Sequence, residues 1–118
     1  MRISEHSWRV LVELEERRFE DACVEHVARY FPGRARSMDA ETLRLCVRSV
    51  DERARSLGLT GRRDRLLFLT LCARHGWDFE ERPENGWARA MLRDPLVTDP
   101  SARLRRLARA LDRLRGAE

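Results

Sequence analysis

The chain has 118 residues, 42% hydrophobic and 37% charged, which suits one domain that buries roughly two thirds of its unfolded surface. All 24 cationic side chains are arginine, interleaved with 20 acids to a net charge of +4; this mixture forms solvated helix faces rather than one clustered phosphate-binding surface, so nucleic acid is not the expected partner. No apolar run approaches the ~20 residues of a membrane span, the opening MRISEHSWRV lacks a secretory signal, and the odd count of three cysteines points to reduced thiols in the cytoplasm.

Ser4 is placed to cap a first helix that runs to about Tyr30 without Gly or Pro. Trp8, Val12, Phe19, Cys23, Val27 and Tyr30 recur at threes, fours and sevens and predict one apolar stripe. Phe31-Pro32-Gly33 ends the helix, because proline disfavours helical geometry in the residue before it. A basic connection, Gly33–Met38, is expected to follow.

Asp39 is a suitable cap for a second helix, on which Leu43, Cys46, Val47, Val50, Ala54 and Leu57 share a face. Gly58 stands where a left-handed residue closes such a helix. Thr60 can cap a third helix, from near Gly61 to His75, with Gly76 as its stop. Residues 66–72, LLFLTLC, are apolar almost all round, which places this helix at the centre of the fold.

The stretch HGWDFEERPENGW, residues 75–87, is the least helix-like of the chain and holds Trp77, Phe79 and Trp87. A short helix is expected from about Pro83 or Glu84 to Leu92. Asp94-Pro95 and Asp99-Pro100 then bracket a loop, with Asp99 as cap and Pro100 at the first helical position. The last helix carries Leu104, Leu107, Ala108, Leu111 and Leu114 on one face and Arg105, Arg106, Arg109 and Arg113 on another. The sum is an all-α, single-domain bundle of about five helices.

Each candidate chemical site has a bland alternative. Cys23/His26 and Cys72/His75 each have C-x-x-H spacing, and two such pairs on facing helices could make a tetrahedral zinc site. The bland alternative, small core cysteines with surface histidines, is preferred, and no metal or cofactor is expected. Glu13, Glu15, Glu16, Glu80 and Glu81 offer carboxylates, but such runs usually face solvent. No Gly-rich phosphate loop and no lysine for one are present, so no enzyme activity is expected. The arginine stripe of the last helix reads first as a solvated face near the negative end of the helix dipole, and second as a docking surface.

The order of motifs is more specific than any one of them. FEDACVEHVARYFP (Phe19–Pro32) is followed by RARSLGLTGRRD (Arg53–Asp64), GWDFE (Gly76–Glu80), Trp87 and a helix after D-P. This order resembles small uncharacterised helical proteins encoded in type VI secretion clusters beside spike, PAAR-like and toxin genes. That family joins a helix ending H-L-x-x-x-F-P to R-A-x-x-Y-G-I-x-x-E-R-D, then F-G-x-D-F-D and a P-W pair. Matching positions are Phe19, His26, Phe31, Pro32, Arg53, Ala54, Gly58, Arg63, Asp64, Gly76, Asp78, Phe79 and Trp87; Leu57, Arg62 and Gly86 depart from it. The resemblance spans roughly residues 19–92. It implies a protein-binding adaptor or chaperone for an effector toxin or a spike/PAAR-like protein, with a cytosolic immunity protein as the alternative; a nucleic-acid binder using the arginines of the last helix is a third reading, from charge rather than from the resemblance. On this view Gly76, Asp78 and Phe79 are structural, with Phe79 and Trp87 folding back onto the bundle and Asp78 pairing with an arginine such as Arg63. Trp77, Trp87 and the four arginines are candidate partner contacts, and a homodimer through the C-terminal helix is plausible.

Overall fold

A computed structural model describes residues 4–116. Six α-helices and two 3₁₀ turns account for the secondary structure of these residues, with no strand among them: α1 (Glu5–Tyr30), α2 (Pro32–Arg36), α3 (Ala40–Ser56), α4 (Arg62–His75), 3₁₀ turns at Phe79–Glu81 and Pro83–Asn85, α5 (Gly86–Leu92) and α6 (Pro100–Gly116). The protein is all-α. By density of contacts the chain divides into two units, Met1–Arg48 and Ser49–Glu118, with the boundary inside α3.

In the first unit, Ser4 Oγ accepts from the Ser7 amide at 3.1 Å and starts α1 as its capping chemistry requires. Phe31 ends it, its amide donating to the Val27 carbonyl at 2.8 Å. The chain turns into helix at once, because Pro32 at the first position of α2 supplies a preset φ and lacks only an amide that the first turn leaves unbonded. The basic connection expected over Gly33–Met38 is therefore mostly the short helix α2. Asp39 Oδ1 accepts from the Thr42 amide at 2.7 Å and opens α3. Arg44 and Arg48 of α3 reach Glu20 of α1 at 3.2 and 2.6 Å, and Arg44 also holds Asp21 at 2.8 Å.

The stripe expected along α1 is only half buried. Phe19, Cys23 and Val27 are buried, but Trp8, Val12 and Tyr30 are exposed. Every residue from Glu5 to Arg18 except Glu16 is exposed.

In the second unit, α3 closes at Gly58 with φ 84°, where a Cβ would stand 2.9 Å from the Pro100 side chain. Gly61, rather than Thr60, occupies the capping position of α4, and no side chain caps that end. The apolar run of α4 is enclosed as expected: Phe68, Leu69, Leu71, Cys72 and Ala73 are buried, and Leu66, Leu67 and Thr70 half-buried. Gly76 ends α4 at φ 129°, its amide bonded to the Cys72 carbonyl. Leu104, Leu107 and Leu111 bury one face of α6, which packs on α4 and α5. Leu114, expected on that face, is 55% exposed. Asp99 caps α6 by accepting from the Ser101 amide at 3.1 Å, with Pro100 first in the helix.

Candidate functional site

The second unit is organised around a polar cluster that the sequence hides. Arg53 of α3 donates from Nε to Glu80 at 2.6 Å, and its Nη2 reaches the Trp77 carbonyl. Glu80, on the first 3₁₀ turn, is 4% exposed, against the expectation that the Glu80-Glu81 run faces solvent. Burial alone would lower the Arg53 pKa; hydrogen bonding and attraction from Glu80 outweigh it and hold the guanidinium charged. Arg89 of α5 donates to the Glu80 carbonyl at 3.2 Å, and Asn85 donates to the Phe79 carbonyl at 2.8 Å. A second pair lies nearby in sequence: Arg65, 7% exposed, clamps Asp51 through Nε at 2.7 Å and Nη2 at 2.6 Å. Fork-to-carboxylate geometry of this kind fixes orientation as well as charge.

This cluster explains the irregular 75–87 stretch. Phe79 is buried at 2% exposure and tilts against the His75 ring at 5.8 Å between centroids. Gly76 lets the chain reverse beneath the Arg82 guanidinium, which a Cβ would meet at 2.9 Å. Arg82 in turn donates to Asp78 at 2.9 Å, so Asp78 pairs within its own turn rather than with Arg63. Asp64 accepts from Ser101 Oγ at 3.0 Å and ties α4 to α6. Trp77 is half-buried, with a buried Nε1 that has no hydrogen-bond partner among the described residues. Trp87 does not fold back: it is 39% exposed on α5. Phe31 is half-buried and Pro32 exposed, their roles being to end α1 and begin α2.

The candidate reactive groups do not assemble. Cys23 and Cys72 are buried and Cys46 half-buried, none of them in a disulfide. Burial pushes the Cys72 thiol well up, and the Glu80 charge adds to that against Arg53; a thiol so placed is a packing group rather than a nucleophile. Burial lowers the His26 and His75 pKa values, with Arg74 and Arg115 adding to the effect at His75. No three His, Cys, Asp or Glu side chains among the described residues come together as metal ligands.

The four arginines of the predicted stripe divide into two pairs. Arg105 donates to Ser101 Oγ at 3.1 Å and approaches Asp99 at 4.0 Å, and Arg106 reaches Asp94 at 3.6 Å. Arg109 and Arg113 are exposed and have no ion pair among the described residues. Leu114, at the end of the leucine face, is exposed as well, and Asp112 is the only acid in α6. No helix of the described residues is long and apolar enough to cross a membrane.

The fold and these surfaces define an all-α protein with buried arginine–carboxylate pairs in one unit and open cationic and apolar helix faces. Comparison with protein families, with curated proteins and with solved structures gave no match for this chain.

Proposed function

We propose that this protein is a non-enzymatic accessory factor, an adaptor or chaperone, of a type VI secretion effector module. The observation that carries the reading is the outer face of α6, where Arg109 and Arg113 stand exposed with no ion pair among the described residues, while Leu114, at the end of the apolar face, is exposed as well. The opposite face of the same helix enters the core through Leu104, Leu107 and Leu111. A cationic face with an apolar neighbour fits an acidic, partly apolar surface on an effector toxin or a spike/PAAR-like protein, with charge steering the encounter. The motif order of Phe19–Leu92 supplies the secretion context, and Trp87, exposed on α5, is a further contact of the same unit.

The test is co-expression with the neighbouring effector and spike products. A complex that co-purifies with the wild-type chain and is lost with R109E/R113E supports the reading. A chain that ignores every neighbouring product contradicts it. The same face would suit a cytosolic immunity protein opposing an acidic toxin; rescue of toxin-expressing cells by this protein alone assigns that role in place of loading. Steeply salt-dependent binding to nucleic acid, without any protein partner, would move the face to the third class.

A further inference from the structure

Within the second unit a small cleft of about 40 Å³ opens between the end of α3 and α5. Its polar lining is Arg53 and Ser56 of α3, Glu80 and Glu81 of the first 3₁₀ turn, Arg89 of α5 and Arg93, which closes that helix. Three arginines and two glutamates meet here, and their commitments differ. Arg53 and Glu80 are bound to each other at 2.6 Å, and Ser56 donates its hydroxyl to the Arg53 carbonyl at 2.7 Å. Glu81 stands at the surface, 3.7 Å from Arg53 Nε. Arg89 donates from Nε and Nη2 to the Glu80 and Glu81 carbonyls at 3.2 and 3.4 Å, so neutral acceptors orient its fork and its charge meets no carboxylate. Arg93 follows one helical turn later, its amide bonded to the Arg89 carbonyl at 3.1 Å. Its side chain is exposed, with no hydrogen bond or ion pair among the described residues.

We propose that this cleft binds a phosphate group, held between the Arg93 guanidinium and the uncommitted Nη1 of Arg89. Two guanidiniums line one cleft with no carboxylate bound to either, and a phosphate group carries about two negative charges near neutral pH. A carboxylate brings one charge, and a single arginine fork satisfies both of its oxygens. Guanidinium is also the side-chain group best shaped for phosphate oxygens. The buried Arg53–Glu80 pair then has a use beyond packing: it fixes the turn whose carbonyls aim Arg89. A cation already oriented in the empty cleft loses less freedom when the anion arrives.

The size of the cleft sets what enters it. A volume of about 40 Å³ holds one phosphate group and is far below the ~300 Å³ or more of a pocket for a whole metabolite. The recognised chemistry is therefore the phosphate itself, as the free ion or as the end of a small ester whose remainder stays in solvent. Glu81 is the one lining group that opposes an anion without being bound to a buried cation, and its removal should strengthen binding. The cleft uses none of the α6 surface, so its test and that of the proposed function fail separately.

Calorimetric titration of the full chain with inorganic phosphate, at ionic strength held constant with sodium chloride, tests the proposal. The expected result is saturable one-to-one binding with a Kd of about 1 mM or tighter. R93A, at an exposed position whose loss leaves the fold intact by circular dichroism, weakens binding at least ~10-fold. E81Q tightens it several-fold by removing a like charge from the rim. R36A, which removes an exposed arginine of the first unit, leaves it unchanged. Glycerol phosphate in the same titration separates the sources: tighter binding than inorganic phosphate assigns the cleft to a phosphate ester, weaker binding to the free ion. No saturable binding below about 20 mM phosphate overturns the proposal. So does R93A binding as the wild type does, E81Q binding more weakly, or R36A losing as much as R93A.

Discussion

Glu80 shows how far a residue's surroundings can reverse its expected role. Next to Glu81 in a charged run it reads as solvated, yet it is 4% exposed and bound to Arg53, while Glu81 stays at the surface. What distinguishes the two acids is Arg53, 27 residues earlier on another helix, and no local pattern shows that pairing. Arg53 was singled out in the sequence by its place in a motif, but its partner was not. Removing Glu80 leaves a half-buried guanidinium facing neutral acceptors and the exposed Glu81 carboxylate at 3.7 Å, so Glu80→Ala should cost about 3 kcal/mol in urea denaturation. Glu81→Ala, at an exposed site 3.7 Å from Arg53, should stay within about 0.5 kcal/mol. His75 adds a pH dependence. Burial, with Arg74 and Arg115, lowers its pKa below the ordinary 6.5, so the unfolded chain takes up the proton first as pH falls. Stability is then full above about pH 6.5 and declines as pH drops from there through the lowered folded value. His75→Phe should flatten that decline between pH 7 and 5 in urea titrations, with the remaining slope owed partly to His26, whose pKa burial also lowers.

Most elements were legible because their ends carry strong local chemistry. Ser4, Asp39 and Asp99 cap the helices they were expected to cap, and Gly58 and Gly76 take the positive φ values that close α3 and α4. Thr60 failed as a cap because Gly61 takes that position one residue later. The α2 turn was missed because a proline that ends one helix was read only as a stop, when it equally begins another. The stripe of α1 is legible as one face but not as a half-covered one, because periodicity reports which residues share a face and says nothing of whether a partner element covers it. Two glycines separate backbone need from mere tolerance. Gly76→Ala should cost about 2 kcal/mol, since φ 129° and the Arg82 guanidinium at 2.9 Å both resist a Cβ. Gly33→Ala, in α2 with open space around it, should instead raise stability by about 0.5 kcal/mol. Thermal or urea unfolding of the two variants checks the opposite signs.

At the scale of the whole molecule, charge is distributed by use. Acids meet arginine in the buried pairs Arg53–Glu80 and Arg65–Asp51 and in the α1–α3 contacts, whereas α6 sets six arginines against one acid. The net charge of +4 is thus less informative than its placement: two cations that remain open, Arg109 and Arg113, sit on one helix face. The sequence located that stripe by its spacing but could not separate its occupied members, Arg105 and Arg106, from the open ones. Their partners, Asp99 and Asp94, lie in the preceding loop, whose path only the folded chain defines. The most direct test of a protein-binding role is the mass, by light scattering, of this protein mixed with its co-expressed effector or spike neighbour, for wild type and R109E/R113E at low and moderate salt. The account predicts a complex for the wild type that weakens with salt and is absent in the variant. A complex of equal mass and strength in both proteins, or none with either, would contradict it.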